Sequence, residues 1–199
     1  MARRRIRTRI AVDLDGTLLN TLAGWMKAFE RRYGKVPRIS WTDYEFCREI
    51  NMTRDDMMMI FGEIDPDDIE LMDENAFDVV TGLDCDFVTD KGEKAMEWTR
   101  QVLAREGLDD IRIVRARTDR KHLLRDYGVF VDDNPMVIAN VTRMNGAEAV
   151  AFCAPPYAYN THVKCRWRAA DWLEVETAVT DILGRIHGGR RRKKRIPRW

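Results

Sequence analysis

Histidine and cysteine are scarce in this chain, and that scarcity narrows its chemistry. The three histidines, His122, His162 and His187, show no recognisable metal-ligand spacing. The four cysteines, Cys47, Cys85, Cys153 and Cys165, are scattered and form no Cys-x-x-Cys pair. A disulfide framework or zinc site is therefore not expected, and the cytoplasm is the expected compartment. No stretch approaches the roughly 20 apolar residues of a membrane span. The charged N-terminus has no apolar run behind it, so no secretory leader is expected. What is present is 199 residues, 45% of them hydrophobic, which suffices for one core.

Acidic residues are missing from both ends. Residues 1–9 carry five arginines and no acid, and residues 185–199 carry eight lysines or arginines and no acid. The overall net charge of +1 thus hides a body with 21 basic and 33 acidic residues, a net of about −12. The expected organisation is a basic arm over 1–9, a core domain over 10–184 and a basic tail over 185–199. The run Arg190-Arg191-Arg192-Lys193-Lys194-Arg195 follows Gly188-Gly189, which predicts a flexible tail. Such arms can contact nucleic acid through counterion release. They can equally stay solvated or fold back on the acidic body.

The most informative stretch is Ile10-Ala11-Val12-Asp13-Leu14-Asp15-Gly16-Thr17. An apolar run ending at Gly reads as a buried strand running into a turn. Residues two apart on a strand point the same way, so Asp13 and Asp15 can face one site. Two carboxylates that close repel each other unless a cation or a shared proton compensates. The blander reading is an ordinary Asp-Gly turn after a strand.

Strands and helices then alternate. Strands are predicted at 9–13, 85–89, 111–116, 128–132 and 147–152. Helices are predicted at 20–34, 40–50, 53–62, 66–75, 91–106, 119–126, 135–144 and 170–184. The first helix shows Leu22, Trp25, Met26 and Phe29 at amphipathic spacing and ends at Gly34. This alternation predicts an α/β fold, a Rossmann-like parallel sheet with helices on both faces. Sites in such sheets lie at the carboxyl ends of the strands. Asp13, Asp15, Thr89, Asp132 and Asp133 all fall at such ends.

Four of these features occur in a fixed order: Asp13-Leu14-Asp15-Gly16-Thr17, Phe87-Val88-Thr89, Lys121, and Gly128-Val129-Phe130-Val131-Asp132-Asp133-Asn134-Pro135. That order resembles the four motifs of the haloacid dehalogenase-like (HAD) phosphohydrolases, over most of residues 10–184. Within that family the chain is most similar to the 5'(3')-deoxyribonucleotidase type, on Asp-Asp-x-Pro, Tyr159-Asn160, Arg168 and Trp172. The resemblance implies a small helical cap inserted after the first strand, about residues 20–80. One departure stands out. Only Thr81–Asp86 separates Phe77-Asp78-Val79-Val80 from Phe87-Val88-Thr89, so the helix usual before the second-motif strand is expected to be missing or replaced by a tight loop. Val79-Val80-Thr81-Gly82 then competes as the second motif. Thr89 is preferred because a helix from Glu93 follows it directly.

The resemblance also implies roles. Asp13 would be the nucleophile, and Asp15 the acid that protonates the leaving oxygen and then activates water. Thr89 would bond a phosphoryl oxygen, and Lys121 would offset charge. Asp133 with Asp132 would hold Mg²⁺ beside the Asp13 carboxylate and the Asp15 backbone carbonyl. The expected substrate contacts are Thr89, Asp90 and Lys121, with Trp25 and Trp41 the cap aromatics that could meet a nucleobase. The remaining cap aromatics, Phe29, Tyr33, Tyr44, Phe46 and Phe61, are expected in the core. The implied activity is a Mg²⁺-dependent phosphatase acting on a nucleoside monophosphate. The alternatives are a nucleic-acid-end phosphatase that uses the basic tails, and an idle scaffold of the same fold that binds nucleic acid. A membrane partner is not expected.

Overall fold

The computed structural model describes residues 9–144 and 146–192, the stretch 187–192 by its backbone alone. The expectations for residues 1–8 and 193–199 of the basic arms lie outside the described residues. Six parallel strands form one sheet in the order β3-β2-β1-β4-β5-β6. They are β1 (Arg9–Val12), β2 (Cys85–Thr89), β3 (Ile113–Arg115), β4 (Tyr127–Asp132), β5 (Glu148–Phe152) and β6 (Trp167–Ala169). Among the described residues six α-helices accompany them: α1 (Thr21–Tyr33), α2 (Arg54–Phe61), α3 (Ala76–Gly82), α4 (Glu93–Arg105), α5 (Pro135–Thr142) and α6 (Trp172–Arg192). The strand order reverses between β1 and β4, and such a switch point opens a crevice at the strands' carboxyl ends.

Alternation along the strands builds two cores. Ile10, Val12, Phe87, Val129, Val131, Val150 and Phe152 point to one face, where they meet Trp172, Val175, Val179 and Ile182 of α6. Ala11, Val88, Phe130, Ala149 and Ala151 point to the other, against Val137, Ile138 and Val141 of α5. Period-two alternation requires this division when helices cover both faces. Register then aligns the site. Val12 lies beside Val131 of β4 and Phe87 of β2, so the next residues, Asp13 and Asp132, emerge side by side.

The region between β1 and β2 holds α1, α2 and α3. In α1 the expected face is inward: Leu22, Trp25 and Phe29 are buried, and Gly34 closes the helix at φ +67°. Thr53 caps α2 through the Asp56 N–H, 3.1 Å away.

Several predicted elements differ. Of the helix predicted over 40–50, only Phe46–Ile50 forms, as a 3-10 turn. The Glu49 carboxylate accepts hydrogen bonds from the backbone N–H groups of Ser40, Thr42 and Asp43, which holds 40–43 out of a helix. The predicted 66–75 helix is a 3-10 turn at Pro66–Asp68, because Leu71 bridges to Leu19 instead. Of 119–126 only the 3-10 turn Lys121–Leu123 is helical. The helix thought missing before the second-motif strand exists: it is α3, and Phe77–Val80 belong to it. The short edge strand β6 was not predicted. Helix α6 runs through Gly188-Gly189 to Arg192, so the glycine pair lies within a helix.

Candidate active site

The loop after β1 turns sharply. Gly16 adopts φ +70°, and a Cβ there would collide with the Asp133 carboxylate. Glycine is thus required twice, by the backbone angle and by the closeness of Asp133. The β4 end continues Asp132-Asp133-Asn134 into α5. Asn134 caps that helix by accepting from the Met136 N–H at 2.9 Å, and Pro135 fills its first turn.

Asp13, Asp132 and Asp133 are all buried, and each offers an oxygen within 4.8 Å of the others. Lys121 enters from the loop after β3. Its Nζ lies 2.7 Å from Asp13 Oδ1 and 3.0 Å from Asp132 Oδ2, with 3% of the side chain exposed. Burial opposes its charge, but the two carboxylates outweigh burial and hold Lys121 above its ordinary value. Burial is also the largest influence on Asp13. Against the pull of Lys121, and helped by Asp132 and Asp15, it pushes that carboxyl up to about 7. Burial and the charges of Asp13 and Asp132 likewise lift Asp133 well above the usual carboxylate range. The cations among the described residues therefore leave the cluster short of positive charge.

The other expected residues divide. Thr89 is buried at the end of β2, and its Oγ1 accepts from the Lys91 N–H at 3.3 Å. Thr81 sits in the last turn of α3 and donates to the Phe77 carbonyl at 2.8 Å, away from any strand end. Asp90 spends its carboxylate on the N–H and hydroxyl of Thr118, at 2.8 and 2.9 Å, and so ties the loop that leads to Lys121. Trp25 is fully buried, stacked among Phe29, Phe46 and Phe61, with its indole N–H on the Met57 carbonyl. It has no face open to a ligand. Trp41 packs against Phe46 and Tyr157 and is buried.

Two residues near the cluster escape sequence reasoning. Tyr44, expected in the core, is 41% exposed. Burial of its hydroxyl and the charges of Asp133, Asp13 and Asp132 push its pKa well above the tyrosine value, and its ring meets Tyr159 edge-on at 5.3 Å. Lys91 is buried, with Nζ 2.9 Å from Asp15 Oδ1, and burial lowers its pKa against the pull of Asp15. No periodicity marks either residue. Both reach the site through tertiary packing.

The later stretch forms the wall behind the cluster. The Tyr159 hydroxyl donates to Asp133 Oδ2. Asn160 Nδ2 donates to the Asp133 and Phe152 carbonyls at 2.8 and 2.7 Å, joining the ends of β4 and β5. Arg168 gathers the carbonyls of Asn160, Thr161 and Val163. The Trp172 indole donates to the Thr17 carbonyl at 3.2 Å.

By sequence, no protein-family model and no curated protein matches the chain. Its fold is that of HAD-like hydrolases. A hydrolase of the haloacid dehalogenase-like family from Streptococcus pneumoniae matches 86% of this chain and 98% of its own at 14% identity, with a TM-score of 0.60. A predicted phosphatase from Clostridium acetobutylicum matches 87% and 98% at 13% identity and 0.58. A HAD-hydrolase from Bacillus subtilis, solved bound to magnesium, matches 87% and 99% at 13% identity and 0.59.

Proposed function

We propose that this chain is a Mg²⁺-dependent phosphatase that cleaves nucleoside monophosphates through an aspartyl-phosphate on Asp13. The observation that carries the reading is the setting of Asp13 at the end of the central strand. Its Oδ1 accepts from the Leu14 N–H at 2.8 Å and from Lys121 at 2.7 Å. Its Oδ2 has no hydrogen-bond partner among the described residues, so one oxygen is anchored and the other is available to attack.

The donor set fits a hard divalent cation. Among the described residues Asp13, Asp132 and Asp133 meet one ammonium group, Lys121, which leaves the cluster a formal charge of −2, while Lys91 is paired with Asp15. Asp13, Asp132 and Asp133 would hold Mg²⁺, with the Asp15 carbonyl as a further oxygen. The ion would neutralise a phosphate dianion in a site that otherwise repels it.

Asp13 Oδ2 attacks phosphorus while the bond to the leaving oxygen breaks. Asp15, at the open side of the site, supplies the proton to that oxygen. Asp15 then takes a proton from the water that attacks phosphorus, which releases phosphate and restores Asp13. Lys121 and Thr89 bear on the phosphoryl oxygens. The 5'-nucleotidase reading draws on the Asp132-Asp133-Asn134-Pro135 and Tyr159-Asn160…Arg168…Trp172 resemblance. Tyr44 supports it, because its partly exposed ring at the cluster offers a base a stacking face.

A phosphate-release panel with Mg²⁺ tests this. Nucleoside monophosphates should outrun sugar phosphates, p-nitrophenyl phosphate and 5'- or 3'-phosphorylated oligonucleotides. Faster release from oligonucleotide ends would replace this reading with an end-processing phosphatase.

A further inference from the structure

Among the described residues, Lys91 is the one buried cation near the cluster that the mechanism above leaves without a task. It lies in the loop between β2 and α4. Its ammonium has three N–H donors and two polar partners, with an aromatic ring beside it. One points to Asp15 Oδ1 at 2.9 Å, one to Thr99 Oγ1 at 2.7 Å, and the group lies 3.7 Å from the centre of the Trp98 ring. The Thr99 hydroxyl that accepts from Lys91 donates in turn to the Ala95 carbonyl at 2.8 Å. The ammonium is thereby fixed to the first turns of α4 on one side and grips Asp15 on the other. Its side chain is 7% exposed, while that of Asp15 is 38% exposed. The rigid member of the pair is the lysine, and the member facing the open side is the carboxylate.

We infer that Lys91 is a positioning residue: anchored by Thr99 and Trp98, it aims the Asp15 carboxylate at the oxygen that leaves phosphorus. This rests on the phosphatase reading above but not on the identity of the substrate. A phosphate-binding role is a poor fit, because the ammonium is buried between Asp15, Thr99 and the Trp98 ring, and its ion pair is with Asp15 rather than with the carboxylate cluster that Lys121 contacts. Lys121 instead contacts two carboxylates of the cluster itself, Asp13 and Asp132. Asp13 Oδ2 forms the bond to phosphorus, the ester bond breaks, and its electron pair takes the proton that Asp15 carries into the step as a carboxylic acid; Asp15 leaves as the carboxylate and regains a proton from the water that hydrolyses the aspartyl-phosphate.

Leaving-group dependence separates aiming from binding. An acidic phenol departs without a proton, whereas an alkoxide or a basic phenol needs one. kcat/KM reports only the steps through leaving-group departure, so it isolates this half of the reaction. With p-nitrophenyl phosphate, Lys91→Met should lower kcat/KM by no more than about threefold. With phenyl phosphate and a simple alkyl phosphate it should lower kcat/KM by about 100-fold, the lower end of what a positioned acid contributes. Thr99→Val leaves Lys91 and Asp15 in place but removes the anchor. It should show the same selective loss at roughly a tenth of the size, which keeps the test alive if Lys91→Met does not fold. A loss equal across all leaving groups, or confined to KM, would overturn the inference and make Lys91 a phosphate-binding or purely structural cation. Wild type inactive on every phosphate ester would overturn the phosphatase reading and this inference together. Selective loss in the variants with no preference for nucleotides in wild type would overturn only the substrate assignment.

Discussion

Asp13 sits where burial, helped by two neighbouring carboxylates, opposes its charge and outweighs the pull of Lys121. Its folded value of about 7 stands well above the roughly 3.9 of an unfolded aspartate. A group raised in this way favours the fold when protonated. Its contribution is complete below about pH 4 and is lost as pH rises through about 7. In metal-free protein, Asp13→Asn should therefore melt higher than wild type at pH 8, by about 2–4 °C for each ~1 kcal/mol of relieved repulsion in a chain of this size. The gain should shrink towards pH 5. Lys121 keeps Asp132 as a partner at 3.0 Å, so the substitution does not strand it. The same variant should lose turnover, because an amide is a poor nucleophile. Melting curves in EDTA at both pH values check the first expectation. A variant that melts lower at pH 8 would show that the cluster is already compensated without a metal.

At the scale of elements, legibility in the sequence followed the strength of local signals. Strands β1, β2, β4 and β5 are apolar runs that end in turns or acids, and α1 and α4 have full amphipathic faces, so pattern alone located them. The misjudged segments are short or governed by side chains far from the local pattern. Glu49 holds 40–43 in a loop, Leu71 turns to bridge Leu19, and β6 is a three-residue edge strand whose middle residue, Arg168, is polar. Helix α3 was missed because Phe77-Asp78-Val79-Val80 shows no clear period. Asp13, Lys121, Asp132 and Asp133 were visible as motifs at strand ends and loops, and register brings them together. Lys91 and Tyr44 carry no local signature. Element ends also hold a tie remote from the site. Asp86 of β2 accepts from Arg112 at 2.8 and 3.1 Å and from the Tyr127 hydroxyl at 2.7 Å, linking β2 to the starts of β3 and β4. Burial alone would raise Asp86, but these hydrogen bonds and the arginine charges outweigh it and lower its pKa. A lowered carboxyl stabilises the fold above its unfolded value near 4 and loses that contribution as pH falls through the folded value. Asp86→Asn should thus cost about 1–3 kcal/mol at pH 7 and progressively less below pH 4, as read by urea unfolding. A penalty that stays constant with pH would mean the hydrogen bonds, not the charge, carry the tie.

At the scale of the whole molecule, the proposed substrate, an anionic ester, would have to enter a body whose net charge, without the arms, is about −12. The fold meets that repulsion locally. It places a carboxylate cluster with a cation deficit at the switch point of the sheet, and it buries one lysine against that cluster and another against Asp15. No helix among the described residues is long and apolar enough to cross a membrane. Everything assigned to this architecture depends on Asp13 taking the phosphoryl group. The direct measurement is to quench the enzyme during turnover of a phosphate monoester with Mg²⁺, reduce the acyl phosphate with borohydride, and locate the modified residue by peptide mass spectrometry. The expected result is homoserine at position 13, dependent on both substrate and Mg²⁺, and absent from Asp13→Asn. Homoserine at another aspartate, or steady turnover with none at position 13, would contradict it.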